Sequence, residues 1–431
     1  MRIGPPGRSQ VFVMVVAETL PSGLRVVTES MPHVRSISVG VWLTRGSRHE
    51  SDEESGIAHF VEHMLFKGTS TRSAQVIAQT IDSVGGQLDA FTAKEYAGYY
   101  IKVLDEHLPI ALDLLSDMLL RPALAPTEVV REQSVILEEI KMVEDAPDDL
   151  VHEVFAQQFW SAHPLGRAIL GTPATVSSFT SGGLRRYFDR TYLAPNLVVA
   201  AAGHLEHAAL RDKVARAFAE LPAGQPQPLA TPPAVTPGFL ARHKEIEQSH
   251  LCLGTPAYPQ AHEGRHALYV LNTILGGSMS SRLFQHVRED RGLAYAVWSS
   301  LTNYSDAGAI TVYAGCASDK VDEVIDLTLA ELRGLREEPV PADELQRAKD
   351  HLKGSLMLSL ENTSSRMSQL AREELYFGRH FTLDELLSGI DRVGAGDVLR
   401  VAGELFRDGA SVGTIVGPAP DATLPIERLK V

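Results

Sequence analysis

Residues Ser51–Phe66 read SDEESGIAHFVEHMLF, and the spacing within this stretch decides the architecture around it. Ser51-Asp52-Glu53-Glu54 suits a helix N-terminus and Gly68 suits a stop just past the end, so the segment is predicted to be helical. On a helix, His59 and His63 project from one face a turn apart, with Glu62 beside them. Most of the remaining circumference is apolar: Ile57, Ala58, Phe60, Val61, Met64, Leu65 and Phe66. Holding two imidazoles and a carboxylate on a buried helix is costly unless something compensates them, and a metal ion does so directly. The pattern His59-x-x-Glu62-His63 is the reverse of HExxH and occurs among zinc peptidase motifs. It makes His59 and His63 candidate metal ligands, and Glu62 a candidate base within reach of a water at the metal.

A catalytic zinc ordinarily takes three protein ligands and keeps a fourth position open. The third is expected from the helix predicted over Thr127–Val143, which carries Glu132, Glu138 and Glu139. Glu132 and Glu139 are seven apart and share a face, whereas Glu138 points about 100° away. One of the pair can coordinate the metal while the other orients a ligand. Spacing alone does not say which does what.

Outward from this segment, strand-like and helix-like runs alternate. Val11–Ala17, Val34–Leu43, Leu88–Thr92 and Gly98–Leu104 read as strands. Ser73–Val84 and the strongly apolar His107–Leu120 read as helices. Between Leu221 and Phe239 the chain turns Pro-rich and uncharged, a semi-rigid linker near the middle. The predicted division is 17–221, a linker over 222–239, and 240–431. The halves resemble each other. Tyr100–Leu104 followed by His107–Leu120 has a counterpart in Ile310–Tyr313 followed by a helix over Asp319–Leu335, and helices ending in Gly precede both, Val76–Gly85 and Ser281–Gly292. An offset of about 210 residues indicates a duplicated unit. Opposite His59–His63 the second half has only Ala267-Leu-Tyr-Val-Leu271, so it is expected to hold no metal.

The composition excludes several classes. With 431 residues, 44% hydrophobic and 22% charged, the chain is an ordinary globular protein of about two domains. A formal charge of −14 disfavours nucleic acid as a partner. Two cysteines, Cys252 and Cys316, cannot form a disulfide framework and fit a reducing compartment. No run approaches the roughly 20 apolar residues of a membrane span. The expectation is a cytoplasmic protein with no membrane partner.

His59-Phe-Val-Glu-His-Met-Leu-Phe-Lys-Gly-Thr69, Gly85-Gly-Gln-Leu-Asp-Ala-Phe-Thr92, Glu138-Glu-Ile-Lys-Met142 and His163-Pro-Leu-Gly166 resemble the pitrilysin/insulinase-type zinc metallopeptidases. Within that family the likeness is to the catalytic subunit of mitochondrial processing peptidase and its bacterial relatives, and it runs from about Thr19 to near the C-terminus. The resemblance implies an α+β fold of two similar halves, each a mostly antiparallel sheet with helices on one face, enclosing a chamber. It implies Glu139, 76 residues past His63, as the third ligand of one Zn2+ per chain, with Glu132 supporting the site. Glu62 becomes the catalytic base. Arg288 and Tyr295 match a pair that reaches towards the zinc-bearing half, binds substrate and stabilises the oxyanion. Asp89, Ala90, Phe91 and Thr92 match the strand that pairs with substrate, although relatives usually have Asn where Asp89 stands. The implied activity is zinc-dependent endopeptidase action on oligopeptides or unfolded segments, by a chain that pairs as a homodimer. A non-catalytic subunit of the same fold is the alternative, and it would be expected to have lost at least one of these residues.

Overall fold

The computed structural model describes residues 15–224, 231–418 and 429–430. The first sheet comprises β1 (Val15–Thr19), β2 (Arg25–Ser30), β3 (Ser36–Leu43), β4 (Gln87–Thr92), β5 (Ala97–Leu104) and β6 (Leu197–Gly203). Their order is β1-β2-β6-β3-β5-β4, antiparallel except for β2 with β6. The second sheet comprises β7 (Gly238–His243), β8 (Gln248–Ala257), β9 (Ala294–Asn303), β10 (Gly308–Ala317) and β11 (Val412–Gly417). It runs β7-β11-β8-β10-β9, with β7 and β11 the one parallel pair. The strand expected at Val11–Ala17 appears from Val15, and its residues 11–14 lie outside the described ones. Of the Pro-rich stretch, residues 225–230 also lie outside, and 231–237 carry no regular secondary structure.

Five helices concern the site: α1 (Ile57–Leu65), α2 (Ala74–Asp82), α3 (Leu108–Leu120), α4 (Pro126–Asp145) and α5 (Pro147–Phe159). Most boundaries fall within two residues of expectation, and two segments depart from it further. Ser51–Gly56 forms turns rather than the start of a helix, and α1 begins only at Ile57, after Gly56 at φ 95°. The acidic cluster that mimics an N-terminus is exposed loop. In the second half, Ser281–Gly292 is wound as a π-helix over Phe284–Glu289. Apolar periodicity cannot distinguish i→i+5 from i→i+4 winding in so short a run.

Sheet strands buried on both faces read as continuous apolar runs. In β6, Leu197, Val199 and Ala201 face one core while Val198, Ala200 and Ala202 face another. The first core takes α1 and α3, including Phe60, Met64, Leu112 and Leu115. The second is closed by Met367, Leu370 and Ala371 of the helix Thr363–Phe377, from the far half of the chain. The exchange is reciprocal: Leu150, Val154 and Phe159 of α5 pack on Cys252, Tyr313 and Val416 of the second sheet. Each sheet thus carries its own helices on one face and a helix lent by the other half on the opposite face.

The halves also meet at their hairpin tips. The Arg48 guanidinium donates to Glu95 at 2.6 Å and to Asp306 at 2.9 Å, while Ser305 donates through its backbone N–H and hydroxyl to Glu95. Between the halves lies a cavity of about 850 Å³, walled by Trp42, Phe91 and Tyr100 on one side and by Tyr269, Leu356 and Tyr376 on the other. Cys252 and Cys316 are buried free thiols, and among the described residues no helix is long and apolar enough to cross a membrane.

Because Leu370 is completely buried against the first sheet, truncating it leaves a void that the sheet cannot fill. Leu370→Ala is expected to cost about 2–5 kcal/mol in urea unfolding, as a residue of the first core would. A cost near that of a surface substitution would contradict the exchanged packing.

Candidate metal centre

Helix α1 buries Ile57, Ala58, Phe60, Val61, Met64 and Leu65, which leaves His59, Glu62 and His63 on its other face. That face meets α4. The ligand atoms of His59, His63 and Glu139 all lie within 4.8 Å of one another. His59 Nε2 is 3.8 Å from Glu139 Oε2, and His63 Nε2 is 3.6 Å from Glu139 Oε1. These separations are too long for hydrogen bonds. They are close to the spacing of about 3.4 Å between donors that share one tetrahedral zinc.

The other acidic residues of α4 are placed differently. Glu132, 3% exposed, binds His63 Nδ1 at 3.0 Å through Oε2 and accepts from Lys67 at 2.8 Å through Oε1. A carboxylate only accepts, so Nδ1 carries the proton and the Nε2 lone pair of His63 faces Glu139. Glu138 turns to solvent and pairs with Lys141. His59 has no such support: its Nδ1 is buried without a hydrogen-bond partner among the described residues. Burial lowers the His59 pKa to about 4, with the neighbouring His63 adding to the effect. The imidazole is therefore neutral at physiological pH, as a metal ligand must be.

Glu62 accepts a hydrogen bond from the Thr92 hydroxyl at 2.5 Å. Burial pushes its carboxyl above the usual range, opposed by Thr92 and His63 and reinforced by Glu139 and Asp89. A carboxylate raised in this way is a stronger base. Thr92 ends β4, the edge strand of its sheet, so one side of Gln87–Thr92 pairs with β5 and the other is open. Along it, Asp89 is exposed, Ala90 packs on the first core, and Phe91 turns to the opposite face against Trp42, Tyr96 and Tyr100.

Arg288 and Tyr295 come together on the second half. The Arg288 guanidinium lies 5.1 Å from the centre of the Tyr295 ring and 4.7 Å from that of Phe284, and it approaches Glu289. Tyr295, near the start of edge strand β9, is 79% exposed. Among the described residues, their ring and charge contacts are with each other and these neighbours, not with the His59 cluster. Sequence reasoning missed Lys67, whose charge balances Glu132, and Glu50, which caps α1. A glycine just ahead of a helix, unable to cap with a side chain, with an acidic residue six positions earlier, is the signal that could have revealed Glu50.

The chain is similar to known proteins along most of its length. Residues 25–173 match the family "Insulinase (Peptidase family M16)", and residues 178–352 match "Peptidase M16 inactive domain". The uncharacterized zinc protease YmxG of Bacillus subtilis is 43% identical over 413 residues, covering 96% of this chain and 100% of that protein. An uncharacterized zinc protease of Streptomyces coelicolor is 42% identical over 412 residues, covering 94% of this chain and 89% of that protein. Among solved structures, a protease from Helicobacter pylori superimposes with a TM-score of 0.88 at 23% identity, covering 94% of this chain and 100% of that one. A peptidase M16 inactive domain from Pseudomonas fluorescens also gives 0.88, at 21% identity, covering 96% of this chain and 100% of that one. At these identities the two structures speak for the fold.

The depressed His59 pKa has a testable sign. In the metal-free protein the unfolded chain takes up the proton as pH falls below the ordinary value of 6.5, whereas the native site resists until about 4. His59 therefore removes stability as pH falls from 6.5 towards 4 and is without effect above that window. An NMR titration of the metal-free protein is expected to show this imidazole with a midpoint near 4, and a midpoint near 6.5 would contradict its burial.

Proposed function

The chain belongs to the insulinase family of peptidases, M16, and from that premise and the site geometry we propose that it is a zinc-dependent endopeptidase acting on oligopeptides and short unfolded polypeptides. The observation that carries this reading is the convergence of His59, His63 and Glu139 within 4.8 Å, with Glu62 on the same helix face. Two imidazole nitrogens and one carboxylate oxygen form a donor set suited to a catalytic zinc with an open fourth position, and relatives are named zinc proteases. When bound there, zinc supplies Lewis acidity towards the scissile carbonyl and makes an adjacent water acidic enough to lose a proton near neutral pH.

The chain's own residues do the rest. Glu62 takes the proton from the attacking water and returns it to the departing amine, a general base and then a general acid at one carboxylate. Its burial raises its basicity, and the Thr92 hydrogen bond fixes the plane of the carboxylate. Glu132 holds His63 in the tautomer that leaves Nε2 free. The open edge of β4 can receive an extended peptide as an added strand, through backbone hydrogen bonds that do not demand one sequence. Short and unfolded chains present such an extended strand most readily, which is why oligopeptides and unfolded segments are the proposed substrate class. Arg288 and the exposed hydroxyl of Tyr295 are assigned to the substrate carbonyl and the developing oxyanion. We read the working assembly as a pair of identical chains.

The test is cleavage of a quenched pool of unstructured peptides by wild type and by Glu62→Gln, with zinc quantified in both. Wild type is expected to cut, and the variant to hold one zinc per chain while losing about 10²–10⁴-fold in rate. If both hold zinc and neither cuts, the peptidase reading fails and a binding subunit of the same fold takes its place.

A further inference from the structure

We infer that Glu50 is the positioning residue for His59: its buried carboxylate clamps the first turn of α1 and so aims the one ligand imidazole that has no hydrogen bond to hold it. The inference rests on the metal reading above. Oε2 of Glu50 accepts the backbone N–H of Gly56 at 2.9 Å, and Oε1 accepts that of Ala58 at 2.8 Å. Both bonds are made to the first turn, and the second is to the backbone N–H of Ala58, the residue immediately before His59. The helix has no cap of its own, because Gly56 carries no side chain and sits at φ 95°. A Cβ there would come within 2.7 Å of the Leu170 carbonyl oxygen, so a capping Ser, Asp or Asn is sterically shut out.

The clamp is itself anchored. Arg167 donates to the Glu50 carbonyl at 2.6 Å and pairs with Asp52, and the Thr175 hydroxyl donates to the Ser55 carbonyl at 2.7 Å. The loop between Glu50 and Gly56 is thereby tied to residues far along the chain. Glu50 is 5% exposed, and keeping a carboxylate in so dry a place has a cost: burial raises its pKa to about 7, against the lowering effect of the Ala58 and Gly56 N–H groups. Part of that cost is offset by the positive end of the α1 dipole, at which the carboxylate sits.

The asymmetry between the two histidines gives the clamp its role. His63 is fixed from behind by Glu132 on Nδ1, so its ring cannot swing without breaking a bond. His59 Nδ1 is buried with no partner among the described residues, so its ring direction depends on packing and on where the backbone puts its Cα. Glu50 fixes that backbone. Loosening the Ala58 peptide would move His59 Nε2 relative to Glu139, while His63, a turn later and separately tethered, would stay.

The experiment uses the full chain stripped of metal and titrated with Co2+, whose visible ligand-field spectrum reports coordination geometry without reference to turnover. Glu50→Gln keeps the shape but offers a single acceptor oxygen, and Glu50→Asp keeps the charge but is too short to span both N–H groups. Both are expected to bind Co2+ about 10–100-fold more weakly than wild type, with an altered spectrum, while the thermal midpoint of the metal-free protein changes little. If wild type itself takes up no Co2+, the metal reading fails. If wild type binds and both variants match it in affinity and spectrum, only the Glu50 inference fails. It also fails if both variants lose the near-UV circular dichroism of the metal-free wild type, because Glu50 is then a determinant of the fold rather than of the ligand.

Discussion

Both faces of each sheet are apolar, so neither half can stand with helices on one side only, and this need for cover ties the molecule together. The solution is a trade: α5 covers the second sheet and the helix Thr363–Phe377 covers the first. The trade reaches the metal centre through one residue of chain. Helix α4, which carries Glu132 and Glu139, ends at Asp145, and α5 begins at Pro147. The last turn of α4 is held from the second half, where Lys244 donates to the Glu144 carbonyl at 2.6 Å and Arg242 pairs with the Glu144 carboxylate. The helix bearing the third ligand is therefore pinned by α1 along its middle and by the other half at its end.

At the centre itself, one physical cause has opposite consequences for the two kinds of side chain. Burial disfavours charge, so it holds the His59 imidazole neutral and pushes the Glu62 carboxyl towards protonation. The first keeps a lone pair available for a metal, and the second strengthens a base. Specific partners then correct the result: Thr92 and His63 hold the Glu62 carboxyl down against burial. Lys67 neutralises Glu132, so the group that orients His63 adds little net negative charge beside Glu62.

How much of this was legible in the sequence follows from what periodicity can report. It placed His59, Glu62 and His63 on one face because i, i+3 and i+4 positions are neighbours on any helix. It could not separate Glu132 from Glu139, because residues seven apart share a face and only the docking of α4 on α1 puts one at Nδ1 and the other between the two Nε2 atoms. That distinction came from resemblance to a family rather than from spacing. Exchanged helices are invisible for a related reason: a continuous apolar run such as Leu197–Gly203 shows that a strand is covered on both faces but not which part of the chain covers it. The start of α1 was misread at Ser51 because acidic residues often open helices. Here the acid that serves the helix is Glu50, one residue earlier, acting through space rather than as a neighbour in the first turn.

The edge strand β4 carries two conflicting demands. An edge must stay unpaired to accept a peptide, yet an unpaired edge invites association with any other strand. This one is short, ending at Thr92 after six residues, and it presents the charge of Asp89 to solvent, both of which discourage indiscriminate pairing. It is also not independent of the chemistry. Thr92 gives its hydroxyl to Glu62, so the strand proposed to receive the substrate holds the base that would act on it. A peptide laid along the edge would, in the proposed reading, pair with β4 on the side opposite β5, in the strand whose last residue hydrogen-bonds the Glu62 carboxylate. In the proposed reading, substrate alignment and orientation of the base are thus set by the same six residues, and displacement of either disturbs the other.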